Sequence, residues 1–208
     1  MPELIRVFVI GDSISIQYGP YLERYLPENF TYARKIDAGG EKAEANLDIP
    51  TGANGGDSRM VLEYMRQRRQ HAPIVADVLV LNCGLHDIKT DLITGDKQVA
   101  IGEYEGNLRA IVAESKPRHI VWVRTTPVID AIHNQPGASF HRHASDVYAY
   151  NKVADLVMTK AEATIVDLHS FSKKFSPEGF CDHVHFKEEI RALQGAFLAG
   201  ILSGNFSD

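Results

Sequence analysis

Residues 5–10, Ile-Arg-Val-Phe-Val-Ile, form a β-branched apolar run that stops at Gly11. A run this short, closed by glycine, predicts a strand buried on both faces and ending in a turn. Similar runs recur at residues 74–81, 119–123 and 164–166, and the stretches between them carry helical spacing. Ile101, Tyr104, Leu108 and Ile111 fall on one helical face, as do Val147, Tyr150, Ala154 and Val157. Ile190, Leu193, Phe197 and Ile201 repeat the pattern near the end of the chain. Strands alternating with helices predict a parallel sheet covered on both faces, with ligands at the carboxyl ends of the strands. Chemistry is therefore expected in the residues just after each strand.

A chain of 208 residues, 44% hydrophobic and 24% charged, suits one α/β domain spanning 1–208. Its formal charge of −5 argues against nucleic acid as a partner, because phosphate contacts need clustered cations. The one basic cluster, Arg66, Arg68 and Arg69, falls at the end of an expected helix, where cations favour the negative dipole end. No apolar run approaches the roughly 20 residues that span a bilayer, so no membrane partner is expected. The apolar stretch 7–10 is too short for a signal-peptide core, and the chain as given reads as cytoplasmic, a removed signal aside. Cys83 and Cys181 lack metal-type spacing and are read as free thiols, small buried hydrophobes by default.

Gly11-Asp12-Ser13 directly follows the first strand and leads toward a helical segment around residues 20–25. That placement presents a serine at the sheet's carboxyl edge, beside helix N–H groups that favour an anion. A serine hydroxyl is a weak nucleophile without a base, usually a histidine oriented by a carboxylate. Asp182-His183-Val184-His185 offers both before the last helix, although Asp-x-x-His and Gly-Asp-Ser are each common by chance.

Order and placement add what each motif lacks alone. Gly11-Asp12-Ser13-Ile14-Ser15, then Asn54-Gly55-Gly56-Asp57-Ser58, then Gly84-Leu85-His86-Asp87, then 182–185 run in the order of the four blocks of the SGNH (GDSL) hydrolases, which the chain resembles along nearly its whole length. Asn151 after Tyr150, and Thr125-Thr126-Pro127, also look like features of that family. The resemblance implies a flavodoxin-like three-layer α/β/α sandwich with a five-stranded parallel sheet, no metal or other cofactor, and ester hydrolysis through an acyl-serine. By matching position, Ser13 is the nucleophile, His185 its base and Asp182 the carboxylate that holds the imidazole tautomer. The backbone N–H groups of Ser13 and Gly56 would serve the oxyanion. The family's third donor is an asparagine side chain, and this chain has His86 there, whose neutral imidazole still carries one N–H.

A second Gly-Asp-Ser at residues 56–58 is a rival, but Ser58 follows a loop rather than a strand and reads as a helix cap. His183 rivals His185 as base, and only the family spacing prefers the latter. His133, His141 and His143 lack zinc-type companions and read as surface or binding-loop residues. Asp87 is expected to make local loop hydrogen bonds. Two long connections, 37–56 and 130–144, are the functional loops. The second supplies Asn134, Gln135, Phe140 and Arg142, a polar and aromatic mixture suited to sugars. Asp12, Phe140 and Arg142 are candidate substrate contacts. The overall look is that of GDSL-type carbohydrate esterases, with a small-molecule or carbohydrate acetyl ester as expected substrate. A lysophospholipase or thioesterase, a catalytically silent binding module and a metal-dependent hydrolase remain the alternatives.

Overall fold

β1 (Ile5–Ile10) sits inside the sheet, paired in parallel on one side with β2 (Phe30–Arg34) and on the other with β3 (Val78–Leu81). β4 (His119–Val123) and β5 (Thr164–Val166) extend the sheet in the order β2-β1-β3-β4-β5, every pairing parallel. The computed structural model describes residues 4–36, 47, 49–115 and 118–206. The expected functional connection 37–56 therefore lies partly outside the described residues, at 37–46 and 48.

Seven helices are described: α1 (Ser13–Tyr25), α2 (Ser58–His71), α3 (Ile101–Ser115), α4 (Asp130–His133), α5 (Ala144–Lys160), α6 (Leu168–Lys173) and α7 (Glu188–Phe206). The strand order reverses direction after β2, and parallel crossovers are right-handed, so α1 falls on one face and α2, α3 and α5 on the other. α7 returns to pack along α1, while α2 packs on α3 and α3 on α5. The result is the expected α/β domain with a five-stranded parallel sheet. Val9, Ile10, Leu79, Val80 and Val121 are fully buried between the layers. Burying each such side chain contributes about 1.5–3 kcal/mol.

Four details differ from the sequence reading. β2 carries no continuous apolar run, because as an edge strand it buries Phe30 and leaves Thr31 and Ala33 exposed. β3 begins at Val78 rather than at 74, since Asp77 is held by the backbone N–H and guanidinium of Arg6 at 2.7–2.9 Å. α1 begins at Ser13 itself and continues through Pro20, which lies inside the helix. Cys83 is buried as expected, whereas Cys181 is exposed, with its Sγ 3.5 Å from the carbonyl of Phe186.

Candidate active site

The carboxyl ends of β1 and β3 and the loop before α7 converge at one edge of the sheet. β1 ends at Ile10, and Asp12 caps α1 by accepting from the N–H of Ile14 at 3.0 Å. Ser13 is thus the first residue of α1, where a backbone N–H has no acceptor within its helix. Its side chain meets His185, whose Nε2 lies 2.9 Å from Ser13 Oγ across 172 residues of sequence. His185 Nδ1 donates to Asp182 Oδ2 at 2.6 Å. The other carboxylate oxygen, Asp182 Oδ1, accepts from the N–H groups of Val184 at 2.8 Å and His185 at 2.7 Å. One tight turn therefore fixes acid and imidazole together.

The charges follow from burial and partners. Burial works to raise the Asp182 carboxyl, but the His185 side chain and the two backbone N–H groups overcome it and hold the acid well below the usual carboxylate range. Asp12 is almost wholly buried, which pushes its carboxyl up, while the Ile14 N–H, His185 and Arg142 pull against the rise. His183 is not the group that meets Ser13: its ring stacks on His133 at 4.0 Å.

Gly55 donates its N–H to the carbonyl of Gly11 at 2.8 Å, which holds the 54–57 segment against the end of β1. Gly56 has φ of +72°, and a Cβ there would lie 2.5 Å from Met60 Sδ, so only glycine fits. Its N–H already donates to Asn54 Oδ1 at 2.9 Å, a partner the sequence did not foretell. The Asn-Gly-Gly run was the available signal, since asparagine side chains commonly bond a backbone N–H two residues on.

Gly84 opens the third segment, and a Cβ on it would lie 2.2 Å from Thr125 Oγ1. Two residues later His86 is 1% exposed, and its Nδ1 has no hydrogen-bond partner among the described residues. Burial, with the nearby cations Lys89 and Arg142, pushes the imidazole down to about 3, so it is neutral at physiological pH. Asp87 reaches further than expected: it accepts from the N–H of Ser58, 29 residues away, at 2.9 Å. Its burial raises the carboxyl to about 7.

Ser58 is not the cap of α2. Asp57 is, accepting from Met60 N at 3.1 Å, while Ser58 is fully buried and its Oγ accepts from Asn107 Nδ2 at 3.0 Å. The 130–144 connection also differs from its sequence reading. Asn134 bonds the backbone of Arg142 on both sides, at 2.8 and 3.0 Å, and Arg142 is 1% exposed. Phe140 is half-buried, with Lys89 and Arg142 over its ring at 4.6 and 4.8 Å. His143 faces Asp130 Oδ2 at 3.5 Å, and its neighbour His141 lies edge-on to it.

Comparison with known proteins bears on the family and the fold. The profile of the GDSL-like Lipase/Acylhydrolase family matches residues 9–193. Among solved structures, the lipase/acylhydrolase from Enterococcus faecalis superposes with a TM-score of 0.73 at 16% identity, covering 97% of this chain and 96% of that one. The acetyl xylan esterase AlAXEase gives 0.68 at 15% identity, over 95% and 100% of the two chains. Est24, a carbohydrate acetylesterase from Sinorhizobium meliloti, gives 0.66 at 13% identity, over 97% and 100%. No curated protein matches the chain.

Proposed function

The chain belongs to the GDSL-like lipase/acylhydrolase family of ester hydrolases, and on that premise we propose that it removes small acyl groups, chiefly acetyl, from carbohydrate esters with Ser13 as nucleophile. The observation that carries the reading is the 2.9 Å approach of His185 Nε2 to Ser13 Oγ, backed by Asp182 at 2.6 Å.

In this mechanism His185 Nε2 takes the hydroxyl proton as Ser13 Oγ attacks the ester carbonyl carbon. The imidazolium that forms is stabilised by the ionised Asp182, which also keeps the proton on Nδ1 beforehand. The oxyanion lies at the N-terminus of α1, where the Ser13 N–H and the neutral imidazole of His86 serve as donors. The Gly56 N–H joins them by exchanging Asn54 Oδ1 for the oxyanion. Collapse breaks the carbon–oxygen bond to the alcohol, which leaves with the proton from His185. Water then repeats the sequence on the acyl-serine and releases the acid.

The acetyl and carbohydrate assignments draw on the esterases named above. A second reading, longer acyl chains, is favoured by exposed Ile49, Met60, Leu92, Ile93 and Ile132. All five lie on loops or helix starts that follow strand ends at the catalytic edge, Ile93 being 94% exposed. Steady-state rates on nitrophenyl acetate and octanoate separate the two. A higher kcat/KM for acetate is expected, and a preference for octanoate would move the enzyme to lipid or thioester substrates.

A further inference from the structure

Arg142 is among the largest fully buried side chains of the protein. A buried guanidinium is costly unless its fork is satisfied, so its location is informative. Its Nε donates to the carbonyl of Leu85 at 2.7 Å, the peptide that leads into His86. Its Nη1 lies 3.4 Å from Nε2 of His183, two residues before His185. The backbone around it is fixed as well: His141 and Thr90 exchange N–H···O bonds at 2.8 and 2.9 Å, and Ile129 N donates to the carbonyl of His183 at 3.0 Å. Three loops, 84–90, 129–142 and 182–185, thus meet at this one side chain.

We propose that Arg142 is a positioning residue of the ester-cleaving site: it clamps the His86 loop to the Asp182–His185 turn and supplies the cation that balances the Asp12 carboxylate beside Ser13. The proposal rests on the serine–histidine reading above. Donation from Nη1 to His183 Nε2 requires that nitrogen to be unprotonated, which favours the neutral Nδ1–H tautomer of His183. A second imidazolium is thereby kept away from His185, which must itself become charged during the reaction. The electrostatic neighbours agree with this placement. Asp12 faces His185 and Arg142, both of which pull its carboxyl down against burial. His86 faces Lys89, Arg142 and His185, which oppose its protonation, and Asp57, which favours it. Burial raises the Asp12 carboxyl and Arg142 limits the rise, so the arginine acts on the rate through the charge that Asp12 carries beside His185.

The experiment measures kcat, KM, melting temperature and the pH dependence of kcat/KM on nitrophenyl acetate for Arg142→Met and Arg142→Lys. Wild-type labelling at Ser13 by a serine-reactive phosphonate is measured first. A wrong nucleophile fails there, whereas a wrong role for Arg142 shows only in the variants. Arg142→Met is expected to lower kcat by about 10- to 100-fold, the scale of a misplaced catalytic loop, with KM within about threefold. Its acid limb should move, because loss of the cation favours a proton on Asp12 and so changes the charge beside His185. Arg142→Lys, which keeps the charge but not the fork, should lose about tenfold in kcat with the acid limb in place. A folded Arg142→Met with wild-type kcat and an unmoved limb, whatever its melting temperature, would overturn the proposal. If the methionine variant does not fold, a folded Arg142→Lys with wild-type kcat overturns the clamp by itself.

Discussion

Gly-Asp-Ser occurs twice in this chain, and both copies build the same local structure. In each, aspartate caps a helix through its side chain, Asp12 onto Ile14 N at 3.0 Å and Asp57 onto Met60 N at 3.1 Å, and the serine is the first helical residue. Both serines are buried. What separates them is the partner delivered from far along the chain. Ser13 Oγ meets His185 Nε2 at 2.9 Å, a base with its own carboxylate. Ser58 Oγ meets Asn107 Nδ2 at 3.0 Å, an amide that donates, and the buried Asp87 carboxyl, in place of an imidazole held by its own carboxylate. The tripeptide fixes a helix start; long-range packing decides whether its hydroxyl is activated.

The widest gap between the two copies should be in activity. Ser13→Ala is expected to lower kcat on nitrophenyl acetate by about 10⁴-fold or more, as for other serine–histidine hydrolases. Ser58→Ala should leave kcat within a few fold and reduce stability by about 1–3 kcal/mol, since Asn107 loses its acceptor in a buried site. Denaturant melts and initial rates on both variants check this, and comparable rate losses would erase the distinction.

The next effect concerns the donors around each serine. His86→Ala is expected to lower kcat by about 10²- to 10³-fold with KM nearly unchanged, the usual cost of one oxyanion donor, and His86→Asn to recover much of it. A well-folded His86→Ala enzyme with unchanged kcat would leave the oxyanion to the backbone alone.

The two aspartates offer a smaller contrast. Asparagine keeps the capping oxygen but removes the charge, so Asp12→Asn should lower kcat about tenfold while Asp57→Asn leaves it within about twofold. Equal kinetic effects would mean that the charge beside Ser13 does not matter.

The smallest effect is a pH dependence of stability on the Ser58 side. The folded protein holds the Asp87 proton up to about 7, against 3.8 for an ordinary aspartate. Between those values the folded state binds more protons than the unfolded one, so stability falls as pH rises through the window. Asp87→Asn keeps an acceptor for Ser58 N–H and cannot ionise. Its melting temperature relative to wild type should therefore rise between pH 5 and pH 8. A constant difference would argue that Asp87 ionises normally.

Much of this was legible in the residues. β1 and β4 follow their apolar runs, the edge strand β5 its shorter one, and the helices over 101–115, 144–160 and 188–206 their periodicity, because buried strands and packed helix faces leave strong patterns. β2 escaped because its five residues bury Phe30 and leave Thr31 and Ala33 exposed, with no apolar run to mark them. Ser13, Asp182 and His185 were marked by block order and the structure brings them together, although only Ser13 directly follows a strand end that topology fixes. The reach of Asp87 to Ser58 was not visible, because it depends on which loops the sheet brings together, whereas the cap at Asp57 is local and an Asp just before the helical run was its signal. Arg142 was read as a substrate contact from its loop, and its burial with the Nε bond to Leu85 reveals a buried junction. Loop residues lack the periodicity that separates inside from outside in a helix or strand.

The central claim is that the His185–Asp182 pair activates Ser13 and not Ser58. Peptide mass spectrometry after reaction with a serine-reactive phosphonate tests it most directly, on wild type, Ser13→Ala and His185→Ala. A single adduct on Ser13 in wild type is predicted, absent in Ser13→Ala and formed far more slowly in His185→Ala. An adduct on Ser58, or labelling of Ser13 at an undiminished rate without His185, would contradict it.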